Sequence, residues 1–141
     1  MTKDYVKVAE TFIKALPFAE RLNMKIVDID YGRAVISMPY DDVLVGDTTT
    51  GVIHGGAMSA LLDTAAGAAV MIHPEGGIGT ATLDLRIDYM RPATPGQSLI
   101  ATAECYHVTR SVAFVRATAS DEDTDRPVAT ATGAFTVGKG K

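Results

Sequence analysis

The sequence predicts an α+β fold in which one antiparallel sheet curls around a long central helix. Residues 55–72 are almost wholly small and apolar, and at 1.5 Å per residue they make a helix of about 27 Å that is apolar on all sides and therefore buried. The segments after this helix alternate apolar and polar residues as strands do: 80–90, 98–109, 111–119 and 128–137. The connections between them are too short for parallel crossovers, so the sheet is antiparallel.

The chain before the central helix contributes a helix, a hairpin and a loop. Residues 4–16 place apolar side chains at helical spacing, and Pro17 either ends this helix or begins a short new turn. Residues 24–40 alternate on both sides of a Tyr-Gly turn and predict a β-hairpin. Residues 41–53 are rich in Asp, Gly and Thr, which predicts a loop leading into the central helix.

Composition limits the class of protein. A chain of 141 residues with 47% hydrophobic and 21% charged residues predicts a single globular domain over 1–141, in which 1–23 is an N-terminal helical segment. The net charge of −4 argues against nucleic-acid binding, and the single Cys excludes an internal disulfide. No apolar run approaches membrane-spanning length, so we expect a cytoplasmic protein without membrane contact.

Two features of the central helix point to chemistry. Asp63 is the only charge among residues 55–72, and a lone carboxylate there is costly unless it is paired, solvated or used. Gly55 and Gly56 begin the helix, where uncovered backbone N–H groups and the helix dipole can hold an anion or an oxyanion. Each feature also has a purely structural explanation: Asp63 reaching water or an Arg, and glycines fitting a tight corner.

Together these features resemble a known family. The run from Gly51 to Gly67, G-V-I-H-G-G-x-x-x-x-L-L-D-x-A-x-G, resembles the signature of hotdog-fold acyl-CoA thioesterases of the 4-hydroxybenzoyl-CoA and phenylacetyl-CoA type. The resemblance continues through residues 82–93 and the turn at 109–111, and it covers most of the chain from about residue 24. It implies a hotdog fold and hydrolysis of a small aryl- or acyl-CoA to the free acid and CoA.

The resemblance also implies roles for individual residues. The Gly55 N–H would polarise the thioester carbonyl, and Asp63 would act as general base or nucleophile. Thr82 would help place the attacking water, and His54 would orient the loop and the carbonyl. Many members have Asn six residues before the His; here that position is Thr48, whose hydroxyl can still donate but with a different reach.

Contacts to coenzyme A are implied for two arginines. Arg91 ends a strand, and Arg110 lies with Ser111 in a hairpin turn; both match positions of phosphate contacts in the family, and the alternative for each is an ordinary surface arginine. No separate cofactor is expected, because coenzyme A is part of the substrate. With three His, one Cys and no metal-ligand spacing, we expect no metal site.

The spacing of Gly55 and Asp63 bears on assembly. They are eight residues apart on one helix, about 12 Å along its axis, which an Asp side chain cannot bridge. If both act on one thioester they belong to different subunits, so the homodimer is the smallest active unit, and a homotetramer built from two dimers is a further expectation. Candidates to line the acyl pocket are Met58, Leu61, Leu62 and the small residues 65–69.

Two other functions remain open from the sequence. A hotdog dehydratase or hydratase would also act on acyl thioesters, but this chain lacks the His-x-x-x-Pro-Gly context of those enzymes. An acyl-CoA binding protein without catalysis is compatible with Thr48 in place of Asn. The sequence contains no G-x-S-x-G motif, so a serine hydrolase is not supported.

Overall fold

The computed structural model describes residues 3–139. It contains three helices, α1 (Lys3–Lys14), α2 (Pro17–Arg21) and α3 (Gly55–Met71). The eight strands are β1 (Lys25–Asp30), β2 (Arg33–Met38), β3 (Val45–Asp47), β4 (Val52–Ile53), β5 (Thr82–Tyr89), β6 (Leu99–Val108), β7 (Val112–Ser120) and β8 (Ala129–Thr136). A single 3-10 turn, Asp42–Leu44, precedes β3.

Six strands form one antiparallel sheet that packs against α3. The strand order is β1-β2-β6-β7-β8-β5, and every pair is antiparallel. Helix α3 packs across β2, β6 and β7, and α1 lies against α3 and β1. The predicted α+β fold, an antiparallel sheet around a long central helix, is therefore confirmed.

The core lies between α3 and the inner face of the sheet. Small side chains on α3 allow close approach to the strands, and larger ones fill the remaining space. The fully buried residues of this layer include Leu61, Leu62, Ala65, Ala66, Val70, Ile36, Met38, Leu99, Val115 and Phe135. The sheet and α3 thus form a closely packed frame that positions the polar groups of α3.

The prediction of a loop over residues 41–53 is wrong in part, because β3 and β4 form a small hairpin there. Val45 pairs with Ile53, and the buried side chains of Leu44 and Ile53 anchor the hairpin in the core. These strands are too short to show an alternating pattern in the sequence. The Leu44 carbonyl accepts a hydrogen bond from the His54 N–H at 2.7 Å, which fixes the entry to α3.

Strand β5 lies at the edge of the sheet and carries a bulge. Strict alternation predicts Thr82 and Tyr89 on opposite faces, yet both contact α3. A register shift between Thr82 and Asp84 supplies the extra residue that reverses the alternation. On the neighbouring strand, Gly133 has no side chain to collide with the Asp84 carbonyl oxygen, so the bulged segment can approach β8 closely.

Candidate active site

The imidazole of His54 caps the N-terminus of α3. Its Nδ1 accepts a hydrogen bond from the Gly56 N–H at 2.7 Å. A ring nitrogen that accepts carries no proton, so the neutral imidazole holds its proton on Nε2. The contact matches the orienting role that the family resemblance implies for His54, since it fixes the first turn of the helix.

The Gly55 N–H is left without a partner. Within residues 3–139 it has neither a backbone nor a side-chain acceptor, as expected for one of the first N–H groups of a helix. Gly55 is exposed, and the positive end of the α3 dipole adds to the field at this donor. The geometry provides a hydrogen-bond donor suited to a developing negative charge on oxygen.

Asp63 is half-buried on α3, and Thr82 contacts it from β5. The Thr82 hydroxyl donates to Asp63 Oδ1 at 2.6 Å. The structure therefore brings together two residues to which the resemblance assigns a shared role. This hydrogen bond holds the carboxylate in one orientation and leaves Oδ2 available for another proton donor.

Strand β5 runs past both ends of the candidate site. The Tyr89 hydroxyl donates to the Gly55 carbonyl at 2.9 Å, while Thr82 at the other end of the strand contacts Asp63. Gly55 and Asp63 are separated by two helical turns, about 12 Å. In one chain, the Gly55 N–H and the Asp63 carboxylate thus lie beside opposite ends of β5.

An apolar groove of ≈ 430 Å³ adjoins Gly55. Its lining combines the start of α3 with the end of β5: Val52, Ile53, Gly55, Met58, Tyr89, Met90, Arg91, Pro92, Ala93 and Val128. Of the residues predicted to line an acyl pocket, Met58 lies in this groove. Leu61 and Leu62 do not, since both are fully buried in the core.

Arg91 forms an ion pair with the buried carboxylate of Asp121. Its guanidinium binds the Asp121 carboxylate through two hydrogen bonds of 2.8 and 2.7 Å, and its other donors contact the carbonyls of Arg126 and Pro92. All five N–H donors are therefore occupied. Arg91 holds the pKa of the Asp121 carboxyl well below its usual range, and the same hydrogen bond raises the pKa of Arg91. This arrangement favours a structural role for Arg91 over the predicted contact with phosphate.

Arg110 and Ser111 lie exposed in the turn between β6 and β7. The Ser111 carbonyl accepts from the Val137 N–H at 2.9 Å, and Phe135, two residues earlier, pairs with Thr82. The turn therefore lies at the end of the sheet where Thr82 contacts Asp63. Its position is compatible with the predicted contact between Arg110 and an anionic part of a ligand.

Thr48 lies in the turn of the β3–β4 hairpin. Asp47 holds this turn by accepting from the Thr49 hydroxyl at 2.6 Å and from the Thr49 N–H at 2.9 Å, which lowers the pKa of Asp47. Because Asp47 pairs with Val52, Thr48 is at the far end of the hairpin from His54. Within one chain the structure does not bring Thr48 to the start of α3.

Sequence reasoning missed two residues of this site, Tyr89 and Ser59. Their hydroxyl oxygens are 2.6 Å apart, and both contact the Gly55 carbonyl. The available signal was the helical spacing of Gly55 and Ser59, which puts a hydroxyl one turn after the glycine. Nothing in the sequence places Tyr89 there, because its position depends on the bulge in β5.

Comparison with known proteins identifies the family. The family model for the thioesterase superfamily matches residues 50–128, more than half of the chain. The chain belongs to the thioesterase superfamily. It is 27% identical to the medium/long-chain acyl-CoA thioesterase YigI of Escherichia coli over 93% of this chain and 92% of that protein. It is 25% identical to human acyl-coenzyme A thioesterase 13, over 92% of this chain and 91% of that one.

A solved structure extends the likeness to the whole fold. A Pseudomonas aeruginosa protein of known crystal structure is 36% identical and superposes with a TM-score of 0.84, covering 94% of this chain and 98% of that one. Membership of the superfamily confirms the hotdog fold that the motif resemblance implied. Within residues 3–139, no helix has the length and apolar character needed to cross a membrane.

Proposed function

We propose that this thioesterase-superfamily protein hydrolyses acyl-CoA thioesters to the free acid and coenzyme A. The observation that carries the proposal is that α3 presents two groups suited to this reaction. These are an unpartnered N–H at Gly55 and a carboxylate, Asp63, held by the Thr82 hydroxyl. The first suits the carbonyl oxygen of a thioester, and the second suits the water that attacks it.

In the proposed reaction Asp63 acts as a general base. Its Oδ2 takes a proton from water while the water oxygen forms a bond to the thioester carbon. The carbonyl oxygen becomes an oxyanion that accepts from the Gly55 N–H. Collapse of this intermediate breaks the C–S bond, and the coenzyme A thiolate takes up the proton.

The proposed active unit is a homodimer, because the two groups lie too far apart in one chain. Edge strand β5 exposes Leu83 and Tyr89, and Met90 just after it is exposed too, as in a strand that pairs with another chain. If two β5 strands pair antiparallel along their full length, Thr82 of one lies opposite Tyr89 of the other. Asp63, which contacts Thr82, then faces Gly55 of the partner subunit, so the dimer contains two shared sites.

The rest of the substrate has two proposed contacts. Arg110, at the Asp63 end of the sheet, would bind a phosphate of coenzyme A, as a charge on an exposed turn can. The groove of ≈ 430 Å³ beside Gly55 would take an apolar acyl or aryl group. The name of the Escherichia coli relative favours a medium- or long-chain acyl group, while the motif resemblance implies a small aryl or acyl group, so both belong in the assay.

Release of free thiol from a panel of aryl- and alkyl-CoA substrates tests this function. We expect turnover by the parent and a loss of about 10²–10⁴-fold in Asp63→Asn, which keeps the shape but removes the base. Asp125→Asn, in the exposed β7–β8 turn, is the matched control and should retain parental activity. A folded parent that releases no thiol from any member of the panel contradicts the proposal, and binding without release would indicate a carrier.

A further inference from the structure

Two hydroxyl groups converge on the carbonyl oxygen of Gly55. The Tyr89 hydroxyl lies 2.9 Å from this oxygen and the Ser59 hydroxyl 3.2 Å, while the two hydroxyls are 2.6 Å apart. Each hydroxyl has one proton to give. Whichever of them donates across the 2.6 Å contact, the other gives its proton to the carbonyl, so two hydrogen bonds join the three oxygens in a chain.

This group holds one end of a peptide unit whose other end is also held. The peptide that joins Gly55 to Gly56 has its carbonyl bound to one hydroxyl of the Tyr89–Ser59 pair and its N–H bound to His54 Nδ1 at 2.7 Å. A peptide plane held at both ends cannot rotate without breaking a hydrogen bond. A glycine without such restraint would have wide freedom in φ and ψ.

The restraint acts on the adjacent donor. The Gly55 N–H is separated from the held peptide by the two Gly55 backbone torsions alone, and it has no partner of its own within residues 3–139. The ring of Tyr89 also packs over Gly55, with two ring atoms 3.5 and 3.6 Å from the place where a Cβ would be. Side chains from α3 and from β5 therefore add to the restraint that the helix itself places on the direction of this donor.

We infer that Tyr89, together with Ser59, is a positioning residue that aims the Gly55 N–H at the substrate carbonyl. The inference rests on the proposed thioesterase function. Tyr89 does not itself need to touch the reacting atoms. It acts through Gly55, so that the N–H is already oriented when the carbonyl oxygen gains charge, and electrostatic stabilisation of this kind depends on such preorganisation.

The variant Tyr89→Phe removes the hydroxyl and keeps the ring. We expect kcat to fall about 3- to 10-fold, the value of one hydrogen bond, with KM changed less than twofold. Ser59→Ala should act in the same direction, and it reports on the same group if Tyr89→Phe is poorly folded. Tyr106→Phe is the control, because it removes the same hydroxyl from an exposed tyrosine on β6, outside the site.

Two inert ligands separate positioning from general structural damage. One is an acyl-CoA analogue in which a methylene group separates the sulfur from a difluoromethylene ketone, which is hydrated in water and resembles the tetrahedral intermediate. The other is the alkyl thioether of the same length, which lacks the carbonyl. We expect Tyr89→Phe to weaken the ketone by about 3- to 10-fold and to leave the thioether unchanged, whereas structural damage would weaken both.

The outcomes distinguish this inference from the proposed function. In the first outcome, the parent hydrolyses acyl-CoA, but Tyr89→Phe and Ser59→Ala have the same kcat and the same ratio of ketone to thioether affinity as the control Tyr106→Phe. The positioning role is then wrong and the proposed function stands. If the parent neither hydrolyses acyl-CoA nor prefers the ketone, both are wrong. A selective loss of ketone affinity and of kcat supports the inference.

Discussion

The ion pair between Arg91 and Asp121 holds the segment that follows β5 in place. The Asp121 side chain is 0% exposed and that of Arg91 17%. Asp121 accepts four hydrogen bonds, two from Arg91 and one each from the backbone N–H groups of Thr94 and Asp123. The pair therefore joins the segment after β5 to the turn between β7 and β8, and removing it should destabilise the fold rather than only weaken ligand binding.

Asp121→Asn is the informative change because no orientation of the amide satisfies the site. Each carboxylate oxygen accepts from one Arg91 N–H and one backbone N–H. Whichever oxygen becomes NH₂, two donors then face a donor. The variant loses two hydrogen bonds, one of them to the charged Arg91, and leaves the charge of Arg91 uncompensated. The free energy of unfolding should therefore fall by about 3–5 kcal/mol.

Urea unfolding at pH 7 measures this loss. Asp123→Asn is the control, because its ion pair with Arg126 is exposed and we expect no comparable change. If Asp121→Asn unfolds within about 1 kcal/mol of the parent, the pair does not hold the structure. A rise in the KM for acyl-CoA in Arg91→Ala at unchanged stability would then restore the predicted phosphate contact.

Three further predictions follow from side chains outside the reacting groups. The pKa of Asp121 is lower in the folded than in the unfolded protein, so its contribution to stability is complete above the unfolded value of about 4 and shrinks as the pH falls towards the folded value. The advantage of the parent over Asp121→Asn should therefore decrease from about pH 5 downwards and still be decreasing at about pH 2, and a constant difference would contradict this assignment. Arg110→Ala should raise the KM for acyl-CoA more than it lowers kcat, and high salt should reduce this difference in KM between variant and parent. If the KM of the variant equals that of the parent at low salt, Arg110 is an ordinary surface residue. Burial raises the pKa of Cys105 to about 11, so at pH 8 its thiol should react with a soluble disulfide reagent far more slowly in native than in urea-unfolded protein; equal rates would show that Cys105 is accessible.

The parts of the fold that the sequence predicts well are those with long, uniform patterns. Helix α3 is predicted over 55–72 and observed over Gly55–Met71. The prediction succeeds because seventeen consecutive, mostly small and apolar residues are too many for a typical strand and too apolar for a loop. Strands β6, β7 and β8 alternate over many residues and are found near their predicted positions. The β3–β4 hairpin is missed, since its stability comes from burying Leu44 and Ile53 rather than from any local pattern.

The site is predictable where it depends on one segment and unpredictable where it depends on two. His54, Gly55 and Asp63 lie on or next to one helix, so motif and spacing suffice to place them. The contact between Tyr89 and Gly55 depends on the bulge after Thr82, which no alternation pattern indicates. The pairing of Arg91 with Asp121 joins residues thirty positions apart, and it depends on β5 lying beside β8.

The shared site is the central claim, and mixing two inactive variants tests it most directly. One variant carries Asp63→Asn. The other carries Gly55→Val, whose branched side chain crowds the N–H donor at the start of α3. The two are unfolded together and refolded, and mass spectrometry establishes that mixed dimers have formed.

In a mixed dimer with shared sites, one site contains both lesions and the other contains neither. Random pairing makes half of the dimers mixed, so thiol release should recover to about a quarter of the parental rate per site. If each site belongs to a single subunit, every site keeps a lesion. Mixed dimers that are present but remain as inactive as the two variants alone would contradict the shared site.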